Sequence, residues 1–366
     1  MEGKILREIY DNNLNQTMRL RQNIDGGVFF TSIRNNLRSN DARNTQRPIL
    51  AHIRVTDRCN LHCSYCYAND NSSARDLTRE QFFHIVDLCE KNGILGITWT
   101  GGEPFLSEVF PELVVYTHEY GIRQTILTNG TFLHKLYVTN IPTDNLNIQV
   151  SLNNAWSPNN QNTEILRNAA TATQNGYDVS LTILLECVEL DLYQELLENI
   201  IEAGVPSVRF GIKMPIGAAS DDDMATYRHG IYQLIPKLSS LRDKYKGRLK
   251  IAYQFDKSLY QDTGLPRRFL MCEAGTTQIF IDNNGDVYPC PMLKSFKNLY
   301  CGNILTHSWE QLWNAYPMIR MRNIEECVGC KYNCKVWCRA LKYATDFDFE
   351  GKSYFCLNGI HEEMTV

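Results

Sequence analysis

The distribution of cysteine constrains this chain more than any other feature of its sequence. Thirteen cysteines occur among 366 residues. Three of them lie together at Cys59, Cys63 and Cys66, and eight lie between Cys272 and Cys356. The chain does not begin with the pattern of a secretory signal, so cysteines grouped in this way indicate metal binding or catalysis sooner than disulfide bonds. The sequence therefore predicts a cytoplasmic protein with metal centres.

The overall composition excludes several other classes of protein. A content of 43% hydrophobic and 21% charged residues is typical of a globular protein with a substantial core. The formal net charge of −4 provides no general attraction to nucleic acid or to an anionic membrane. No apolar run reaches the roughly 18 residues that a membrane-spanning helix needs. We therefore expect neither a membrane nor a nucleic acid as a partner.

The first cysteine group, Cys59-x3-Cys63-x2-Cys66, directly follows the apolar segment 50–56. This segment has the pattern of a buried strand. Three thiolates in one loop can hold three irons of a cubane cluster and leave one iron open, whereas a structural zinc site takes four ligands and is closed. On spacing alone, a partial zinc site remains an alternative.

A second motif, Gly101-Gly102-Glu103-Pro104, follows the apolar segment 94–100. Paired glycines let a ligand approach the backbone, and the neighbouring carboxylate can accept a hydrogen bond from an ammonium group. The same four residues taken alone are more often an ordinary turn. Their place one strand and one helix after the cysteine loop favours a binding site.

In this order the two motifs resemble the signature of the radical S-adenosylmethionine enzymes, which includes an aromatic residue before the last cysteine, here Tyr65. The resemblance implies that Cys59, Cys63 and Cys66 hold a [4Fe-4S] cluster whose open iron binds the methionyl group of S-adenosylmethionine. It also implies that Tyr65 lies near the adenine and that the segment 101–104 meets the methionyl amine.

The fold predicted from the apolar pattern is of the α/β class. Strands that alternate with helices indicate parallel crossover units. The family resemblance implies a partial (β/α)6 TIM-like barrel over residues 50–235, with its active site at the carboxyl ends of the strands. The six expected strands are 50–56, 94–100, 122–128, 145–151, 178–185 and 207–213. A helix over 78–92 is expected to bury Phe82, Ile85, Val86 and Cys89.

Residues that end the expected strands are further candidates for cofactor contact. They are Asn129, Ser151, Asn153 and the segment 214–217. In the family, the serine at the end of the fourth strand commonly binds the ribose or the carboxylate of the cofactor. Many members have an aspartate where this chain has Asn153, and an ordinary Asn-Gly turn is the alternative at Asn129.

The spacing of the late cysteines resembles that of the SPASM domain, a small Cys-rich C-terminal domain that carries two auxiliary [4Fe-4S] clusters, here residues 271–366. The resemblance assigns Cys272, Cys290 and Cys338 to the first auxiliary cluster. Either Cys301 supplies its fourth ligand or that iron is open to substrate or water. The second auxiliary cluster would be held by Cys327, Cys330, Cys334 and Cys356. Three [4Fe-4S] clusters are thus expected, with zinc as the alternative on spacing alone.

Local patterns support this arrangement around the first auxiliary site. Segments 278–281 and 286–288 flank a glycine turn, which predicts a hairpin that brings Cys272 and Cys290 together. Cys89 and Cys187 are expected to be packing residues. For Cys187, a thiol that points into the barrel mouth as a hydrogen-atom donor or substrate contact is the alternative.

Two segments lie outside these domains. Residues 1–49 are expected to be an N-terminal extension, either a helical arm that packs on the barrel or a short recognition segment. This extension is shorter than the precursor-recognition domain of peptide-modifying relatives, so recognition could rest on a separate protein. Residues 236–270 are expected to be a connecting helix and strand.

The expected activity follows from the family resemblance. Cleavage of S-adenosylmethionine would yield a 5′-deoxyadenosyl radical, with flavodoxin or ferredoxin as reductant. Two auxiliary clusters favour a net oxidation, so we predict abstraction of a hydrogen atom from a ribosomally synthesised precursor peptide and formation of a crosslink or similar modification. A dehydrogenase or epimerase of a small metabolite is the alternative. A sulfatase-maturating enzyme is disfavoured because Pro291 stands where such relatives have an aspartate base.

Overall fold

The computed structural model describes residues 4–11, 16–22, 28–34, 46–68, 76–152, 160–186, 189–219, 224–253, 272–322 and 338–349. Its strands are β1 Lys4–Asp11, β2 Gln16–Gln22, β3 Val28–Arg34, β4 Leu50–Arg54, β5 Gly96–Thr100, β6 Arg123–Thr128, β7 Leu146–Ser151, β8 Asp178–Leu184, β9 Ser207–Gly211, β10 Lys250–Tyr253, β11 Gln278–Ile281, β12 Asp286–Tyr288 and β13 Gly302–Asn303. Its helices are α1 Arg79–Lys91, α2 Phe110–Glu119, α3 Lys135–Val138, α4 Asn160–Gln174, α5 Leu190–Glu202, α6 Met224–Lys244, α7 Trp309–Trp313, α8 Tyr316–Arg322 and α9 Arg339–Asp346.

The centre of the molecule is a sheet in which the strands from β4 to β10 are parallel and follow one another in chain order. The first six of these are the six strands that the sequence predicted. Helices α1, α2, α4, α5 and α6 lie between consecutive strands in the chain. The predicted partial (β/α)6 barrel is confirmed, and β10 adds a seventh parallel strand next to β9.

Helix α1 shows how local sequence fixes the barrel elements. The Thr78 hydroxyl accepts from the backbone N–H of Gln81, and the Gln81 side chain accepts from the backbone N–H of Thr78, which completes a capping box at the start of the helix. The predicted face packs into the core through Phe82, Ile85, Val86 and Cys89. Burial of an aliphatic or aromatic side chain of this size stabilises the fold by about 2 kcal/mol. The prediction that Cys89 is a packing residue is confirmed.

The C-terminal hairpin continues the barrel sheet beyond its first strand. Strand β11 pairs in parallel with β4, and β12 pairs with β11 in antiparallel fashion, as predicted. Gly285 in the turn has φ of +87°, a conformation that glycine adopts without strain. Because β11 and β4 run in parallel, the residues that follow them emerge at the same edge of the sheet. The turn after β11 therefore lies next to the segment that leads into the first cysteine group.

The N-terminal residues form an antiparallel sheet in the order β1-β2-β3, so the expectation of a helical arm is wrong. Strand β2 alternates buried and half-buried residues, and Met18 packs with Ile49 and Leu95. Alternation with period two is the pattern of a strand with one buried face. Ile49 and Leu95 directly precede β4 and β5, so this sheet covers the amino ends of the barrel strands, opposite the first cysteine group.

The segment after the sixth barrel strand also differs from expectation. Helix α6 is continuous over Met224–Lys244, so a boundary between residues 235 and 236 would cut through a helix. Strand β10 belongs to the barrel sheet and not to a connection between domains. Residues 254–270 of the expected connection lie outside the described residues. In the part of the chain that the structure describes, no helix combines the length and apolar character needed to cross a membrane.

Candidate functional site

A cavity of about 620 Å³ opens at the carboxyl ends of the parallel strands. Eight of the predicted site residues lie on its wall. They are Cys59, Cys63, Tyr65, Cys66, Gly101, Gly102, Asn129 and Ser151. The carboxyl end of a parallel barrel is where loops from separate strands converge, so residues far apart in the sequence meet there.

The three cysteines of the first group face this cavity as free thiols. Burial raises the pKa of the Cys59 and Cys63 thiols, which disfavours free thiolates and favours thiolates that are neutralised by a bound cation. Thiolates are the ligands that hold iron-sulfur clusters, and in a cubane cluster each thiolate binds a different iron. The donor set of three thiols in one loop therefore fits such a cluster.

Residues 57–68, which carry the first cysteine group, form the cysteine loop. The paired glycines pack against the start of this loop. The backbone N–H of Gly102 donates to Thr56 O at 2.8 Å, and that of Glu103 donates to Arg58 O at 2.8 Å. A Cβ atom on Gly102 would lie 2.6 Å from the carbonyl oxygen of Asp57 and would overlap the carbonyl oxygen of Arg58. Only glycine permits this approach, so the motif shapes the loop as well as the cavity.

The far end of the cysteine loop is held by the segment that follows β9. Gly217 has φ of +69°, and a Cβ atom there would overlap the carbonyl oxygen of Cys66 and lie 2.7 Å from that of Tyr67. The next residue, Ala218, donates its backbone N–H to Cys66 O at 3.0 Å. The segment 214–217 was predicted as a cofactor contact. In the structure, Met214 lines the cavity and Gly217 supports the loop.

The Glu103 side chain points into the protein and does not line the cavity. Its carboxylate accepts from the Thr128 hydroxyl at 2.8 Å, from the Asn129 backbone N–H at 2.8 Å and from the Phe105 backbone N–H at 3.3 Å. Burial raises the pKa of this carboxyl to about 7, against the lowering effect of these donors. The expectation that this carboxylate accepts from a ligand ammonium is therefore not met by the geometry. Pro104 is likewise buried outside the cavity, at the start of a short 3₁₀ turn.

The remaining strand-end candidates have distinct surroundings. Asn129 donates from Nδ2 to Asn60 Oδ1 at 2.9 Å and accepts at Oδ1 from the Thr131 N–H at 3.0 Å, which joins the end of β6 to the cysteine loop. Ser151 and Tyr65 lie on the cavity wall. The pKa of the Tyr65 phenol is raised, mainly by burial and to a smaller extent by the neighbouring Cys63. Asn153 and Cys187 lie outside the described residues.

The second cysteine group brings Cys272, Cys290 and Cys338 together around one apolar cluster. Burial raises the pKa of Cys290 well above its ordinary value, and the neighbouring Cys338 and Cys272 raise it further. Burial and Cys272 raise the pKa of Cys338 to about 12. Three thiols this close in an apolar site fit the predicted ligands of an auxiliary cluster. Four further predicted ligands lie outside the described residues: Cys327, Cys330, Cys334 and Cys356.

The structure separates Cys301 from this group. This separation counts against Cys301 as the fourth ligand and favours the other expectation, an iron that is open to substrate or water. The Cys301 Sγ lies 3.5 Å from Leu299 O, and its side chain belongs to the barrel core together with Leu312, Trp313 and Met318. Burial raises the pKa of this thiol to about 12. Cys301 directly precedes β13, which pairs with β12. Its position at the start of this strand places its side chain in the core.

Sequence reasoning missed a buried network of charges beside the cavity. Arg54 contacts Asp57 Oδ1 at 2.6 Å and Asp282 Oδ1 at 3.4 Å, and Lys294 contacts Asp282 Oδ2 at 3.3 Å. The Arg54 side chain is only 2% exposed, although Arg54 and Asp57 both line the cavity. The sequence signal that could have indicated this network was Arg54, a charged residue at the end of an apolar strand. Its partner Asp282 could not be found from local sequence.

Tyr67 was also missed. It lines the cavity directly after Cys66 and packs against the apolar cluster that includes Cys272, Cys290 and Cys338. Burial raises the pKa of its phenol to about 12. The side chain therefore lies between the two cysteine groups.

Comparison with known proteins agrees with this geometry. Residues 53–185 match the model of the radical SAM superfamily, and residues 272–335 match that of the iron-sulfur cluster-binding domain SPASM. The mycofactocin maturase of Mycolicibacterium smegmatis is 24% identical over 343 residues, which cover 87% of this chain and 84% of that protein. The AdoMet-dependent heme synthase of Methanosarcina barkeri is 24% identical over 349 residues, which cover 86% and 97%.

A solved structure has the same fold. Streptococcus suis SuiB bound to its precursor peptide SuiA superposes with a TM-score of 0.68 at 16% identity, over 89% of this chain and 83% of that one. At this identity the similarity establishes the architecture of barrel and C-terminal domain.

Proposed function

Because this chain belongs to the radical S-adenosylmethionine enzymes and carries a C-terminal SPASM domain, we propose that it oxidatively modifies a ribosomally synthesised precursor peptide. One observation carries the proposal. The three cysteines of the first group and the paired glycines Gly101 and Gly102 line a single cavity at the carboxyl ends of the barrel strands. When bound, the cluster and S-adenosylmethionine supply a 5′-deoxyadenosyl radical that abstracts a substrate hydrogen atom.

In that reaction, Cys59, Cys63 and Cys66 would hold the cluster. The backbone at Gly101 and Gly102 admits the methionyl group, since no side chain blocks the approach. The cofactor contacts that we propose on the cavity wall are Tyr65, Asn129 and Ser151. Leu184, Ile212 and Met214 line the same cavity with apolar side chains, which helps to exclude water from a reactive radical.

A peptide substrate is favoured by the relatives. One relative, from Streptomyces rochei, is named as a PqqA peptide cyclase. The mycofactocin maturase and the sporulation killing factor maturation protein of Bacillus subtilis are named for maturation of a product. SuiB has been crystallised with its precursor peptide. Pro291 follows Cys290 and is buried at the start of a short 3₁₀ turn, so this position offers no carboxylate base of the sulfatase-maturating kind.

A small-molecule substrate is the second candidate. The heme synthase of Methanosarcina barkeri matches this chain over as much of its length, and at the same identity, as the mycofactocin maturase does. The same clusters would serve either reaction.

The finer parts of the proposal concern clusters and partners. We place three [4Fe-4S] clusters in the chain, one on the first cysteine group and two on the late cysteines. A flavodoxin or ferredoxin would reduce the first, and a separate protein would help to recognise the precursor peptide. The cytoplasm suits these thiols because it keeps them reduced.

The test uses the whole chain, reconstituted with iron and sulfide under anaerobic conditions. With reductant and S-adenosylmethionine, we expect formation of 5′-deoxyadenosine. With the peptide encoded beside the gene, we expect a product that has lost two hydrogen atoms by mass spectrometry. The Cys63→Ala variant should lose both products, whereas Cys89→Ala, which removes a thiol from the core, should retain them. A peptide of unchanged mass combined with turnover of a small metabolite would refute the peptide assignment.

A further inference from the structure

The turn between β11 and β12 contacts both ends of the segment that carries the first cysteine group. Before the cysteines, Asp282 Oδ1 lies 3.4 Å from the guanidinium of Arg54. After them, Asn283 donates from Nδ2 to Asp76 Oδ1 at 2.7 Å and accepts at its backbone oxygen from the Leu77 N–H at 2.8 Å. Two consecutive residues of the C-terminal hairpin thus fasten the loop on both sides.

A third contact, between Thr56 and Asp76, joins the two ends of the segment within the barrel. The Thr56 hydroxyl donates to Asp76 Oδ2 at 2.8 Å, so Asp76 joins the two ends of the segment to each other. The same hydroxyl oxygen accepts from the backbone N–H of Arg58 at 3.2 Å, directly before Cys59. Both oxygens of Asp76 are therefore engaged, one with the hairpin turn and one with the start of the cysteine loop.

The environment of the turn makes these contacts costly to lose. Asn283 is 1% exposed and Asp282 is 8% exposed. Arg54 and Lys294 are similarly buried, and they are balanced by Asp57 and Asp282. A buried polar group that loses its partner retains the cost of desolvation, so each contact restrains the loop strongly.

We propose that the Asp282–Asn283 turn is a positioning element of the radical site, which holds the cysteine loop in the geometry that binds S-adenosylmethionine. The C-terminal domain then contributes to the first cluster site through this turn, in addition to holding the auxiliary clusters with its own cysteines. This inference rests on the proposed function, because it concerns the same cofactor site. The turn does not line the cavity, so it acts through Arg54, Thr56 and Asp76.

The test exchanges the two partners of one contact. Asn283→Asp places a carboxylate against the carboxylate of Asp76 and removes the hydrogen bond. The double variant Asp76→Asn with Asn283→Asp restores a donor and an acceptor, and the introduced amide can still accept from Thr56. The matched control is Asn284→Asp, the same change one residue later. Among the described residues, the Asn284 side chain hydrogen-bonds to Asp286 within the hairpin and not to the cysteine loop.

Two measurements are made on the reconstituted full chain. Hydrogen exchange of the backbone amides in residues 57–68 reports the order of the loop. Electron paramagnetic resonance of the reduced enzyme reports binding of S-adenosylmethionine through the change that it causes in the cluster spectrum. For Asn283→Asp we expect amide exchange in this segment to be faster by about tenfold, the factor that corresponds to loss of one buried hydrogen bond, and a matching increase in the S-adenosylmethionine concentration needed for the spectral change.

The outcomes separate this inference from the proposed function. Recovery of both readouts in the double variant, together with unchanged readouts in Asn284→Asp, would support a positioning role. Wild-type readouts in Asn283→Asp, no recovery in the double variant, or equal disturbance by Asn284→Asp would overturn it. Failure of the proposed function would show in the wild-type chain itself as a precursor peptide of unchanged mass, whereas the positioning role is decided by the differences among the variants.

Discussion

Gly102 lies against the peptide carbonyl of Arg58 with no room for a side chain between them. The contact joins the loop after the second barrel strand to the loop after the first, immediately before Cys59. The paired glycines thus act on the cysteine loop from one side, as Gly217 does from the other. Both contacts are made to backbone atoms, which cannot rotate away as the end of a long side chain can.

Gly102→Ala is expected to displace the cysteine loop. The added methyl group would meet the carbonyls of Asp57 and Arg58, and insertion of a methyl group into a packed site costs about 1–3 kcal/mol. Iron bound after reconstitution and 5′-deoxyadenosine formed per chain should both fall. The matched control is Gly211→Ala at the end of β9, where the nearest atom to a Cβ is Leu184 Cδ2 at an ordinary 3.6 Å. Equal iron content in the two variants would contradict this account of Gly102.

The Glu103 carboxyl should make stability depend on pH. Its pKa in the folded chain is about 7, above the ordinary value of 4.5, so the folded state binds the proton more tightly than the unfolded state. The corresponding stability is fully present below the ordinary pKa and is lost as the pH rises through the folded value. That loss amounts to about 3 kcal/mol. Glu103→Gln cannot titrate, so its free energy of unfolding should lack this decline.

This comparison is made by denaturant unfolding of the cluster-free chains, because bound clusters would complicate a two-state treatment. The free energies of unfolding of wild type and Glu103→Gln are compared between about pH 4 and pH 8. If both change with pH in the same way, the pKa of Glu103 in the folded chain is not raised as described.

Loss of iron should distinguish Cys290 from Cys301. Cys290 lies with Cys272 and Cys338, whereas Cys301 is packed in the barrel core. We expect Cys290→Ala to bind less iron than the wild-type chain after reconstitution, and Cys301→Ala to bind as much. Cys301→Ala should lower the free energy of unfolding by about 1 kcal/mol because it leaves a small cavity. Iron analysis that shows an equal deficit in both variants would return Cys301 to the ligand set.

Arg7 should fasten the N-terminal sheet to the barrel. Its guanidinium donates to Tyr120 O and to Glu90 O, both at 3.1 Å. Hydrogen bonds from a charged donor contribute about 1.5–3 kcal/mol, so Arg7→Met should destabilise the chain by that order. Arg19→Met removes the exposed ion pair between Arg19 and Glu8 on the same sheet and should cost less than about 1 kcal/mol. Chemical denaturation of the two variants measures the difference, and a larger loss for Arg19→Met would contradict the docking role of Arg7.

The barrel was predictable because its signals are local. Each of the six strands is a short apolar segment, and the observed strands begin and end within two residues of those expected. Thr78 and the apolar face of α1 likewise belong to one stretch of sequence. Cysteine spacing is local too, since three thiols in one loop are brought together by the loop itself. The expectation of a helical arm was wrong because the pairing of β1, β2 and β3 joins separate segments and because their packing depends on the apolar surface of Ile49 and Leu95.

The sequence by itself determined the class of fold, the positions of the barrel elements and the grouping of three thiols in one loop. Tertiary structure alone decided that Glu103 points inward, that Cys301 leaves the late cysteine group, and that Asp282 meets Arg54 across 228 positions of sequence. The physical reason is the distance along the sequence over which each interaction acts. Hydrophobic period, caps and loop spacing act over a few residues, whereas the direction of a buried side chain is set by whichever distant groups share its desolvated surroundings.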